Sequence, residues 1–176
     1  MLSSAISVAK DDADRADGYW KRGRAYERSG NLTAAFADYD KSISLSPEWA
    51  QPRWERGTMY AEQKNYDAAI ADYTYAIKLL PDFADAYLSR AIAYNAKGSP
   101  RTALPDLKRA IELNPNSANA YFHLGVVDDA LGNPTVIDDY TRAIELDPKM
   151  ANAWNNRGFK YYNKGMKAEA LADYNR

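Results

Sequence analysis

Apolar residues recur along most of the chain at the three- and four-residue intervals of amphipathic helices. The stretches come in pairs. Inside each pair a short breaker intervenes: Gly30-Asn31, Lys64-Asn65, Gly98-Ser99 and Gly132-Asn133. After each pair stands a proline, at Pro47, Pro81, Pro115 and Pro148. Proline has no N–H with which to continue a helix, so it closes the pair after a last turn. The pattern predicts an all-α chain of about ten helices folded into successive antiparallel hairpins. One hairpin cannot bury its own apolar face, so its neighbours must stack on it.

The hairpins share more than their breakers. Pro47, Pro81 and Pro115 lie 34 residues apart, and Pro148 follows after 33. Gly23, Gly57, Ala91, Gly125 and Gly158 keep that beat, as do Tyr26, Tyr60, Tyr94, Asp128 and Tyr161. A third column is Ala35, Ala69, Ala103, Val136 and Ala170, and a fourth is Tyr39, Tyr73, Leu107, Tyr140 and Tyr174. Self-similarity at a fixed period of this length is the mark of a repeat array.

A small residue, an aromatic three later, another small residue, an aromatic and then proline together resemble the tetratricopeptide-repeat (TPR) family. Four units span 16–49, 50–83, 84–117 and 118–150, and a partial fifth spans 151–176. Residues 1–15 form a lead, in which Leu2, Ile6 and Ala9 fall on one side of a short capping helix. The resemblance implies a right-handed superhelical solenoid of about four and a half repeats, with the first helix of each hairpin lining a concave groove.

Two columns carry charge. Arg22, Arg56, Arg90 and Arg157 precede the small residue of their units, and Asp38, Asp72, Asp106 and Asp173 stand sixteen residues later. Four structural Arg–Asp pairs inside the hairpins are expected. The fourth unit departs from this. Leu124 replaces the arginine and leaves Asp139 without its partner, Asp128 replaces the tyrosine, and the hairpin is one residue shorter. Asn133 reads there as an N-cap, with Pro134 at the first helical position. In the third unit Pro105 predicts a kink or a later helix start. The irregular stretch from about 100 to 140 is either tolerated drift or a hinge or binding-adapted segment.

Composition removes most other functions. Lys plus Arg number 23 against 24 Asp plus Glu, a net charge of −1, which gives no electrostatic case for nucleic acid. No apolar run has the roughly 18 residues of a membrane helix, so no membrane insertion is expected. Without cysteine there is neither a disulfide nor a thiol nucleophile. His123 is the only histidine, which leaves no metal-ligand spacing. Phosphate loops and nucleophile elbows are also missing from the sequence. Carboxylates such as Asp138-Asp139 fall on slots that face solvent, and Asp128-Asp129 is the best pair for acid–base chemistry. The chain reads as a non-enzyme with no cofactor, and cytoplasm is its default compartment.

The remaining candidate is the groove surface. Transferring the family's register puts Trp20, Trp54, Leu88, Phe122 and Asn155 in one column, with Ile92, Val126 and Phe159 a turn further on. Asn119 and Asn152 lie a turn earlier, and their amides can pair with an extended peptide backbone. The apolar members are expected to be free of the hairpin core, unless curvature packs them against the next helix. The chaperone-binding subgroup of the family holds a terminal carboxylate with a basic clamp. Here the corresponding slots include Glu55 and Asp85, which repel one. The expected function is protein–protein interaction through a groove that favours an apolar or mildly basic segment. The alternative is a scaffold that self-associates through an uncapped last hairpin showing Phe159, Tyr162, Leu171 and Tyr174.

Overall fold

The computed structural model of the chain describes Ile6 and residues 11–176. Among the described residues there are ten helices and no strand. They are α1 (Asp12–Arg28), α2 (Leu32–Leu45), α3 (Ala50–Glu62), α4 (Tyr66–Leu79), α5 (Ala84–Ala96), α6 (Pro100–Leu113), α7 (Ala118–Leu131), α8 (Val136–Leu146), α9 (Ala151–Asn163) and α10 (Lys167–Tyr174). None is long and apolar enough to cross a membrane. The lead helix expected over Leu2–Lys10 lies outside the described residues except for Ile6. That residue is helical and buried, so close to Gly18 that a Cβ there would meet its Cγ1 at 2.7 Å.

Local chemistry sets the helix boundaries. The side chains of Asp11, Asn31, Asn65 and Ser117 each accept from the backbone N–H three residues on, at 2.8–3.4 Å. These caps satisfy one of the donors that every helix start leaves unpaired. Pro100 sits at the start of α6, where its missing N–H removes no helical bond. Pro105 does not delay that start, because the helix runs through it to Leu113.

The chain forms two compact units, Met1–Ala86 and Tyr87–Arg176. In the first, Ala35, Tyr39 and Met59 form one core, with Trp20, Tyr26 and Phe36 packed on it. Ala50, Ala76 and Ala86 form another beneath Trp54, Ile77 and Phe83. In the second unit Ala91, Ala103, Leu107 and Val127 make one core, and Ala143, Ile144 and Ala153 make the other.

The small-residue and tyrosine columns meet inside the hairpins. A Cβ on Gly23, Gly57, Gly125 or Gly158 would come within 3.0, 2.8, 2.7 and 2.9 Å of the ring of Tyr39, Tyr73, Tyr140 and Tyr174 respectively. The missing side chain is the space that the ring occupies. Tyr39, Tyr73 and Tyr140 are fully buried there, and burying a ring of this size stabilises the hairpin by on the order of 2–3 kcal/mol. In the third repeat Leu107 stands for the tyrosine and Ala91 for the glycine, and both belong to one core. The smaller side chain leaves room for the methyl group.

Candidate functional site

Four guanidinium groups bind four carboxylates side-on. Nε and Nη2 of Arg22 both donate to Asp38 at 2.7 Å, and Arg56 donates to Asp72 at 2.8 and 2.6 Å. Arg90 holds Asp106 at 2.7 Å twice, and Arg157 holds Asp173 at 2.8 Å twice. The aspartates are buried. Hydrogen bonding to them raises the pKa of all four arginines, so each guanidinium stays charged. Bidentate pairing of this kind fixes the mutual orientation of two helices as well as their separation.

The same sixteen-residue spacing also links one repeat to the next, which the sequence reading missed. Tyr39 of α2 donates to Glu55 of α3 at 3.0 Å, and Asn156 of α9 donates to Tyr140 of α8 at 3.4 Å. Arg56 Nη1 reaches back to Asp40 at 2.6 Å, and Arg157 Nη1 reaches back to Thr141 at 2.9 Å. One arginine therefore closes its own hairpin and fastens the preceding one. The signal was present in the sequence as a second polar column one residue after the tyrosine.

The fourth hairpin is built differently. Asn133 is not an N-cap, and Pro134 does not open the helix. Instead α8 begins at Val136, after Thr135. Asp128 draws both turn residues to itself, accepting from Asn133 Nδ2 and Thr135 Oγ1 at 2.7 Å each. Asp128 and Asp129 diverge, because Asp129 pairs with Lys160 of α9. Asp139 is not on a solvent-facing slot: its Oδ2 is buried with no hydrogen-bond partner. Burial, reinforced by the charge of Asp128, pushes Asp139 up to about 7. The carboxylates brought together are thus Asp128 and Asp139, eleven residues apart, and not the adjacent pair. They share an open depression of about 330 Å³ with Leu104, Lys108, Leu124 and Pro134. On α7, burial holds His123 down at about 4, so it is neutral at ordinary pH.

The residues assigned to the groove divide into two groups. Trp20, Trp54, Leu88 and Phe122 are half-buried and pack on the cores, which corrects the expectation that the core does without them. Trp20 meets Trp49 edge-on at 5.2 Å, and Trp54 lies 5.5 Å from Phe83. The cause is the close return of each repeat's end, just after its second helix, onto its own first helix. Ile92 and Phe159 are exposed, Phe159 by 52%. Asn119, Asn152 and Asn155 are exposed and Val126 is half-buried. One face of Trp54 also lines a depression of about 200 Å³ in the first unit, with Arg24, Glu27, Arg28, Glu55 and Thr58. In the second unit Val126, Asn155 and Phe159 come together around a depression of about 340 Å³, beside Asp129, Tyr140, Asn156, Lys160 and Tyr174.

Helical hairpins that each close on a small-residue and large-residue contact define a helical-repeat protein. Family models described as TPR repeat or tetratricopeptide repeat match residues 16–48, 57–98, 84–117 and 139–172. The chain belongs to the tetratricopeptide-repeat family. Among solved structures it is similar to MamA, at 27% identity over 87% of this chain and 90% of that one, with a TM-score of 0.78. It is also similar to YrrB, described as a TPR protein with an unusual peptide-binding site, at 26% identity over 98% and 88% of the two chains and a TM-score of 0.78. A MamA fragment from Desulfovibrio magneticus RS-1 shares the fold at 21% identity, 96% and 94% coverage and a TM-score of 0.82. No curated protein matches the chain. TPR folds serve protein–protein interaction and are generally not enzymes.

Proposed function

We propose that this chain docks an extended peptide segment on the exposed side of its first helices, with the depression around Phe159 as the principal contact. The observation that carries this reading is the convergence of Val126, Asn155 and Phe159 with Tyr174 in one open depression. Phe159 and the part of Tyr174 not packed on Gly158 offer exposed apolar surface, and exposed aromatic side chains are frequent anchors at interfaces. Asn155 supplies donors and an acceptor for the ligand's backbone. Lys160 is neutralised by Asp129, so the depression has no strong charge preference. In the first unit Glu55 pairs with Arg24 beside Trp54, so that depression has no strong charge preference either. An apolar or mildly basic segment is the preferred ligand.

The test starts from peptides selected on the full chain out of a random display library and labelled for fluorescence anisotropy. Phe159→Ala combined with Asn155→Ala is expected to weaken their binding at least about tenfold, a loss of ~1.4 kcal/mol, with helicity retained by circular dichroism. Selected peptides that bind the double variant as well as the parent would overturn the proposal. Trp54 and Phe122 are unsuitable for this test, since their loss also damages the cores.

A second reading is self-association through the last hairpin, supported by the exposure of Tyr162 at 58% and Leu171 at 62%. Light scattering separates the two. A monomer at every concentration excludes the scaffold, whereas association abolished by Tyr162→Ala with Leu171→Ala, while peptide binding persists, supports it.

A further inference from the structure

The fourth hairpin has the helices of the others without their cation. Where Arg22, Arg56, Arg90 and Arg157 stand, it has Leu124, yet the opposing carboxylate remains as Asp139. The Oδ2 atom of Asp139 is sealed from water and receives no hydrogen bond. A buried carboxylate oxygen in that position is costly unless it is protonated. The group placed to take such a proton's hydrogen bond is Asp128. Its carboxylate is buried and accepts hydrogen bonds from two neutral donors, Asn133 and Thr135.

We propose that the fourth hairpin is closed by a proton held between Asp139 and Asp128, in place of the guanidinium that closes the other four, and loosens as that proton leaves.

The surrounding charges leave this arrangement in place. On α7, Asp129 is engaged with Lys160 of α9, and His123 is neutral because burial lowers its pKa. On α9, Arg157 is committed to Asp173 and Thr141. Lys108 of α6 lines the same depression but is exposed to solvent. Asp138, next to Asp139 on α8, adds a further negative charge. Loss of the proton sets two carboxylates against each other in a partly sealed site, the arrangement that drives a carboxylate pair to retain one proton. Burial and the charge of Asp128 place that loss at about 7. The fourth hairpin is therefore sensitive to pH in the physiological range, whereas the arginines that close the other hairpins stay charged there. This inference stands apart from the peptide-docking proposal, and either can fail without the other.

Carbon-detected NMR of the aspartate carboxyl groups in the full chain tests it directly, together with hydrogen exchange of the α8 amides corrected for intrinsic rates. Asp139 is expected to titrate near neutrality. Opening of α8 should increase about tenfold or more between pH 5.5 and 7.5, while α2, closed by Arg22 and Asp38, should show no such change. Asp139→Asn, a neutral imitation of the protonated acid, should remove that increase with pH. Leu124→Arg should restore a fifth ion pair and return Asp139 to the acid range. If Asp139 titrates like an ordinary carboxylate, or if Asp139→Asn leaves the pH dependence of α8 unchanged, the shared proton is wrong. Should Asp139→Asn fail to fold, the titration of the parent and of Leu124→Arg still decides between the outcomes.

Discussion

Lys64 is the one non-glycine residue among those described with a positive φ, 60°, in a turn slot that Gly30, Gly98, Gly132 and Gly165 fill at 72–82°. An L-residue with a Cβ pays about 1 kcal/mol or more for that conformation. Lys64→Gly is therefore expected to stabilise the chain by up to about 1 kcal/mol, after part of the gain is offset by the greater freedom of glycine in the unfolded state. Urea unfolding reads this out, and a lower midpoint would mean that Lys64 makes contacts worth more than its strain. Tyr39 is a second residue whose surroundings decide its chemistry. Its hydroxyl lies 2.5 Å from Glu27 and 3.0 Å from Glu55, and burial pushes its pKa far above the ordinary phenol value. It remains a neutral donor joining α1, α2 and α3.

At the scale of the helical hairpin, the Arg–Asp pair is a clamp between two helices that already share an apolar contact. The Arg157–Asp173 pair suits measurement, because the other hydrogen-bond partner of its arginine, Thr141, is neutral. Either Arg157→Leu or Asp173→Asn alone is expected to cost about 1–3 kcal/mol, since each strands a charge or its hydrogen bonds in a half-buried site. The double variant should cost clearly less than the sum, with a coupling energy of about 0.5–3 kcal/mol. Additive losses in a thermal or urea cycle would show that the two side chains act independently. The fourth hairpin carries leucine in the arginine slot, opposite the buried Oδ2 of Asp139. How far the clamp was legible follows from this: the spacing of sixteen was visible in the sequence, but its reuse between repeats was not. Sequence spacing does not reveal which of several neighbours a guanidinium reaches.

At the scale of the whole molecule, two titrations in the second unit oppose each other. His123, lowered to about 4 by burial, is neutral in the fold, so its contribution is present above its ordinary value of 6.5 and is lost as pH falls toward 4. Asp139, raised from 3.8 to about 7, contributes below 3.8, and that contribution is lost as pH rises through 7. Between pH 4 and 6.5 the two slopes oppose, and above 6.5 the slope of Asp139 is left alone. Unfolding free energies measured over pH 4–8 should therefore tilt in opposite senses for two variants. His123→Leu should leave stability falling more steeply as pH rises, and Asp139→Asn should leave it rising with pH. Parallel curves for the parent and both variants would contradict the burial of these groups.

The sequence by itself determined the repeat, the hairpins, the columns that pack them and the four Arg–Asp partners. Those features are short-range or periodic, and a 34-residue beat repeats the same solution until it can be read by inspection. It was least informative at the fourth hairpin and on the groove face. Asp139 looked solvent-facing and Asp128-Asp129 looked paired, because a sequence gives helical phase but not depth of burial. Trp54 and Phe122 looked available to a ligand, because the distance to the neighbouring helix decides whether a first-helix side chain serves the core or the surface. Tertiary packing settled both. It packed those rings half-buried on the cores, left Phe159 and Asn155 open, and set two carboxylates from different helices against each other where the sequence had merely lost an arginine.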